Sequence, residues 1–233
     1  MVGRCLEMLD AFLWHVAGSL HRAARYGDVR RMRGYLSNGA NVNAPDRKGG
    51  VPLIYAAARG TLAGVNLLLE HGADVCYVNP GGGTALHSAL LNRHADIALL
   101  LIDKGADIRH ATGAGVTPLH LAAHLDLTPV VRRLLDKGAD IEARSARNQT
   151  PLFLAVTGMV VVGTSGDSIR LLLDAGADPR PGPDPEDNYV SHALRNPQAR
   201  KILRREFEAF AGRCKDADMR AYVHSELARL RAN

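Results

Sequence analysis

The sequence repeats itself every 33 residues. The pentapeptide GADIE at Gly138 returns as GADIR at Gly105, GADVC at Gly72 and GANVN at Gly39, each 33 residues apart, and as GADPR at Gly176 after an interval of 38. GSLH at Gly18, VPLI at Val51, TALH at Thr84 and TPLH at Thr117 each stand 21 residues before one of the first four glycines, whereas TPLF at Thr150 stands 26 before the last. The fifth unit therefore carries a five-residue insertion. A unit this short is one supersecondary element that cannot bury an apolar face by itself, so neighbouring copies must complete it.

Local chemistry gives each unit a shape. Pro52, Pro118 and Pro151 stand where the first turn of a helix tolerates a missing N–H, and Thr84, Thr117 and Thr150 stand where a hydroxyl can cap that turn. Leu62, Val65, Leu68 and Leu69 form an apolar stripe on a second helix. The glycine of each Gly-Ala-Asp follows that helix at a position where a left-handed backbone costs glycine little. Paired alanines, Ala57 with Ala58 and Ala122 with Ala123, let the two helices of a unit approach closely.

The 33-residue period with its TPLH strings resembles the ankyrin repeat family, and the resemblance covers roughly residues 18–188. It implies an all-α fold, an ankyrin-repeat solenoid of stacked helix-turn-helix units with β-turn fingers. The spacing divides the chain into repeats at 18–50, 51–83, 84–116, 117–149 and 150–188, the last with the insertion. Residues 1–17, with Val2, Leu6, Leu9, Leu13 and Val16 at helical spacing, are expected to form an N-terminal capping helix. Residues 189–233 are expected to hold a degenerate sixth repeat, with Pro197 at its inter-helix turn, and a C-terminal capping helix. Arg93 and Asp126 replace the mid-repeat glycine seen at Gly27 and Gly60, and the sequence offers no reason for it.

Charge is uneven. Residues 1–191 hold 19 Lys and Arg against 19 Asp and Glu, and residues 192–233 hold 10 against 5, so the net charge of +5 resides in the tail. A nucleic-acid or membrane-surface binder through this basic C-terminal tail is the alternative function, disfavoured because acidic residues are interleaved there. Cys5, Cys76 and Cys214 form no CxxC pair, which points to a reducing, cytoplasmic location. Glu7 and Asp10 interrupt the apolar N-terminal run, arguing against a secretion signal, and no stretch approaches a membrane span.

Three motifs approach chemistry and fall short of it. Gly158-x4-Gly163-Thr164 lacks the lysine of a phosphate loop; Gly166-Asp167-Ser168 lacks the partners of an esterase nucleophile. Both are read as part of a longer loop between paired helices. His120 and His124 are four residues apart but lack a third zinc ligand, so His120 is read as a structural hydrogen-bonding residue, like His21 and His87. No catalytic residue, cofactor or metal is expected, and the chain reads as a non-enzyme.

The family resemblance implies a partner protein gripped on a concave face, where the variable positions are the finger residues and the pair after the double alanine. Carried over by phase, the fingers supply Arg47, Lys48, Val78, Arg144 and Arg147, besides Pro80, Ala111 and Gly113. The first helices supply Arg59, Leu91, Asn92, His124 and Leu125, with Tyr77 and His110 one place before a variable finger residue. The expected partner has an apolar centre and acidic flanks. Adaptor, inhibitor and immunity-like shield are the roles such a module serves, with a monomer the expected state.

Overall fold

The computed structural model describes residues 20–180 and 189–232; the expected cap over 1–17 and the proline-rich stretch 181–188 lie outside them. The chain divides between Asp107 and Ile108 into two compact units, each all-α, and no strand occurs among the described residues. The first unit holds helical residues 20–26 (α1), α2 (Val29–Ser37), α3 (Pro52–Arg59), α4 (Leu62–Glu70), α5 (Ala85–Leu91) and α6 (Ala95–Asp103). The second holds α7 (Pro118–His124), α8 (Thr128–Asp136), α9 (Pro151–Val162), α10 (Asp167–Asp174), α11 (Tyr189–Leu194), α12 (Pro197–Arg213) and α13 (Ala217–Ala232).

Packing follows the repeat. In the first unit α3 lies on α5, α2 on α4 and α4 on α6, while α3 pairs with α4 and α5 with α6. In the second, α7, α9 and α11 stack in order and α8, α10 and α12 stack beside them, with α13 against α11 and α12. First helices thus meet first helices, and second helices meet second helices. The stripe on α4 differs from its expected phase: Leu62 is 39% exposed while Leu67 is buried beside Val65 and Leu68. A helix that packs on α3, α2 and α6 at once buries more than one side, so a single amphipathic stripe places its core face only roughly.

Each start and stop has a local cause. The hydroxyl oxygens of Thr84, Thr117 and Thr150 accept the amides of His87, His120 and Phe153. The second helices of repeats two to five end the same way: Gly72 N–H donates to Leu69 O and Ala73 N–H to Leu68 O, as do Gly105 and Ala106, Gly138 and Ala139, and Gly176 and Ala177 to their own helices. This pair of hydrogen bonds across the helix end requires a left-handed residue at the glycine, and Gly72 has φ 82°. The fingers close at 46–50, 79–83, 112–116 and 145–149, where the amide of the first residue donates to the carbonyl of the last.

The insertion of the fifth unit is mainly helix, which corrects the expectation of a longer loop. α9 runs for 12 residues where α5 and α7 have 7, because Met159, Val160, Val161 and Val162 continue the helix until Gly163 adopts φ 74° and ends it. Gly158 lies inside this helix, not in a phosphate-binding turn. A side-chain carbon at Gly158 would overlap the carbonyl oxygen of His124, so glycine there is what allows α9 to lie directly on α7.

Asp126, unexplained in the sequence, now has a partner. Its backbone keeps the left-handed φ of 56° that glycine has at the equivalent positions, and its carboxylate takes the Ser165 hydroxyl (2.7 Å), the Gly166 amide (3.0 Å) and the Ser168 amide (2.7 Å). A side chain from the fourth repeat thereby caps the start of α10 in the fifth, whose own N-cap residue, Gly166, has no side chain to offer. Burial pushes the Asp126 carboxyl up, but the Ser165 and Ser168 bonds outweigh it and hold the group below its ordinary value.

Candidate functional site

The fingers and first helices are joined in the first unit, and one side chain shows how. Tyr55 of α3 donates its hydroxyl to Asp46 Oδ2 at 2.6 Å, so the finger carrying Arg47 and Lys48 is fastened to the first helix of the next repeat. Asp46 Oδ1 also accepts the amides of Lys48 and Gly50, which holds the turn closed from within. Burial pushes the Asp46 carboxyl up, but the Tyr55 hydroxyl and the two amides hold it below its ordinary value. Burial and the bond to Asp46 together raise the Tyr55 phenol. Gly50 leaves the space that the Tyr55 ring fills.

Arg25 of α1 lies over the Tyr55 ring, its Cζ 4.4 Å from the centroid, and the His21 ring meets Tyr55 edge-on at 6.0 Å. Sequence reasoning missed Arg25 and Tyr26, although they occupy in the first repeat the phase that Leu91 and Asn92 occupy in the third. The degenerate first repeat, with Gly18-Ser19 in place of Thr-Pro, concealed a signal that the 33-residue period carries. Tyr26 is 70% exposed, the most exposed aromatic side chain described in this unit.

Of the residues selected by phase, the first unit holds Arg47, Lys48, Arg59, Val78, Leu91 and Asn92 on its surface, with Val78 42% and Leu91 61% exposed. Tyr77 is half-buried and its hydroxyl donates to Gly49 O at 2.9 Å, tying the second finger to the first. The second unit holds Arg144 and Arg147 exposed at one finger, and His110, His124 and Leu125 half-buried. Arg144 Nη1 donates to Asn148 O, bracing its own turn. Neither Tyr77 nor Arg144 is therefore merely surface.

The histidines of the TPLH strings are structural joints. His120 Nδ1 accepts from Thr117, while Nε2 donates to Gln149 O at 2.9 Å in the finger that follows. His21 Nε2 also donates to a backbone carbonyl, Ala44 O at 2.8 Å, but only 23 residues on, six places earlier in the repeat than the carbonyl that His120 reaches. Burial pushes the His120 ring below its ordinary value although the Gln149 carbonyl opposes it, so the ring is neutral at pH 7. His124 Nδ1 donates to Leu154 O at 3.2 Å, so both histidines of the spaced pair bond to backbone carbonyls. Ser168 is buried in the first turn of α10, and its amide donates to Asp126. Among the described residues no helix is long and apolar enough to cross a membrane, and no group of three or more metal-ligating side chains occurs.

Comparison with known proteins follows the same repeats. A family model described as ankyrin repeats (3 copies) matches residues 20–112, and another described as ankyrin repeats (many copies) matches residues 101–155. The DNA-binding protein RFXANK of Homo sapiens is 42% identical over 53 residues, 22% of this chain and 20% of that protein. The match thus spans about a fifth of the length of that curated relative.

Proposed function

The chain belongs to the ankyrin repeat family, and on that basis we propose that it grips a partner protein on the concave face made by its fingers and first helices. Ankyrin repeats in general mediate protein–protein interaction and are generally not enzymes. In this reading the module acts as an adaptor, an inhibitor or an immunity-like shield, and works in the cytoplasm as a monomer without cofactor or metal.

The observation that carries the reading is the anchoring of the first finger. Arg47 and Lys48 are exposed, yet the turn that presents them is tied to α3 through Tyr55 and to the second finger through Tyr77. A turn fastened at two points has less freedom to lose, so in this reading binding at that finger costs little conformational entropy. Arg59, Val78, Leu91 and Asn92 in the first unit, and His110, His124, Leu125, Arg144 and Arg147 in the second, complete the proposed contact set. Arginine beside exposed apolar side chains suits a partner with an apolar centre and acidic flanks.

A quantitative pull-down tests this, using wild type and two variants whose folding is checked by circular dichroism. One carries Arg47→Glu, Arg59→Glu and Leu91→Glu; the other carries Arg144→Glu and Arg147→Glu. A single protein retained by wild type and depleted at least ~10-fold by either variant, about 1.4 kcal/mol of binding, is the expected result. Equal capture by all three would remove the face from consideration.

A further inference from the structure

The basic excess of the tail is gathered into one groove. Arg200, Lys201, Arg204, Arg205 and Glu208 of α12 line it together with Arg231 of α13, around a volume of about 710 Å³. Five cations thus face one lining carboxylate. Arg200, Lys201, Arg204 and Arg205 recur at the spacing of one helix face, and the buried side of the same helix holds Leu203, Glu206, Phe207 and Phe210.

Three of the five cations already hold carboxylates. Glu208 Oε1 accepts from Arg204 Nε at 3.0 Å and from Arg231 Nη2 at 2.8 Å, so one carboxylate bridges α12 and α13 inside the groove. Arg205 is bound to the buried Glu206. Arg200 and Lys201 make no ion pair among the described residues, and Arg200 sits in the first turn of α12, where the helix dipole adds positive potential.

We propose that this groove is a second docking surface, for an acidic amphipathic helix of another protein. Pro197 to Glu208 is a run of about 16 Å at ~1.5 Å per residue, the length of three helical turns, so the groove is elongated along α12. Pro197 and the aliphatic stems of Lys201 and the arginines give it an apolar lining for the leucine-like side of such a helix, over a floor of the almost wholly buried Ile202 and Leu230. Glu208, held by two guanidiniums, is an internal copy of the contact that incoming glutamates would make with Arg200 and Lys201. A nucleic-acid strand fits less well: the lining contains no aromatic side chain for base stacking, and the backbone phosphates would have to pass Glu208. The groove uses none of the finger residues and does not depend on the concave-face reading.

Fluorescence anisotropy of the full chain tests the proposal. The probes are a fluorescein-labelled helical peptide with a glutamate face and a leucine stripe, the same peptide with glutamine for glutamate, and a short DNA duplex of equal charge. Wild type should bind the glutamate peptide at least ~10-fold more tightly than the glutamine peptide, and Arg200→Glu with Lys201→Glu should remove most of that preference. The milder Arg200→Gln with Lys201→Gln should weaken it by a smaller factor, and serves if charge reversal disturbs the helix. Arg47→Glu with Arg59→Glu should leave it unchanged. Equal binding of the two peptides, no binding, or retention by the folded groove variants would each overturn the proposal. Tighter binding of the duplex would overturn it in favour of nucleic acid, and loss in the finger variant would move the peptide to the concave face.

Discussion

At Gly158 a single methyl group separates a tight helix pair from a strained one. Its Cβ would strike the His124 carbonyl, a backbone atom that cannot rotate away, so Gly158→Ala should cost about 3 kcal/mol through overpacking despite alanine's better helix propensity. Gly34 is the contrasting case, exposed inside α2 with nothing within 4 Å of where a Cβ would stand, and Gly34→Ala should gain about 0.8 kcal/mol. Urea unfolding midpoints should move in opposite directions for the two variants. His120 supplies a pH test. Its ring is depressed in the folded state, so the contribution is whole above the unfolded value of 6.5 and declines as pH falls through the folded one. His120→Gln should flatten the dependence of stability on pH over that mildly acidic range.

Between elements, two carboxylates do what backbone bonds do within them. Asp126 reaches from the turn after α7 to the start of α10, and Asp126→Ala should cost about 2 kcal/mol, the scale of hydrogen bonds to a charged group left unpaired. Hydrogen exchange should quicken first at the amides of Gly166 and Ser168. Glu206 joins α10 to α12: it is 1% exposed and takes Arg170 Nε at 2.9 Å and Nη2 at 3.2 Å, with Arg205 Nε at 2.7 Å. Burial pushes its carboxyl up, but the two guanidiniums prevail and hold it below 4.5. Its stabilisation is therefore present above pH 4.5 and lost as pH falls through the lowered folded value. Glu206→Gln should loosen α12 at neutral pH, seen as faster exchange in α10 and α12, and abolish the acid-dependent part.

For the whole molecule, stability should behave as a sum over neighbours, because each helix pair contacts chiefly the pairs beside it. Leu203 is fully buried in α12, and Leu203→Ala should cost about 2–5 kcal/mol. Exchange protection should fall most in α11, α12 and α13, and least, within that unit, in α7 and α8. A uniform loss across the second unit would mean that it unfolds as one cooperative block.

The period, the helix–turn–helix units, the capping threonines and the left-handed glycines could all be read from the chain before it was folded. Each rests on a residue's own backbone and on neighbours a few positions away, where chain connectivity dictates who meets whom. The proposed contact surface was legible only as a phase, with Arg47 or Leu91 marked by position and not by chemistry. It took the folded arrangement to reveal that Tyr77 bonds to Gly49, that Asp126 caps α10, that the insertion extends α9, and that Arg204 and Arg231 meet at Glu208. The bonds from Tyr77 and Asp126 join residues 28 to 42 positions apart, a distance closed by the stacking of one repeat on the next, and the Arg231 bond, across 23 positions, is closed by α13 packing on α12.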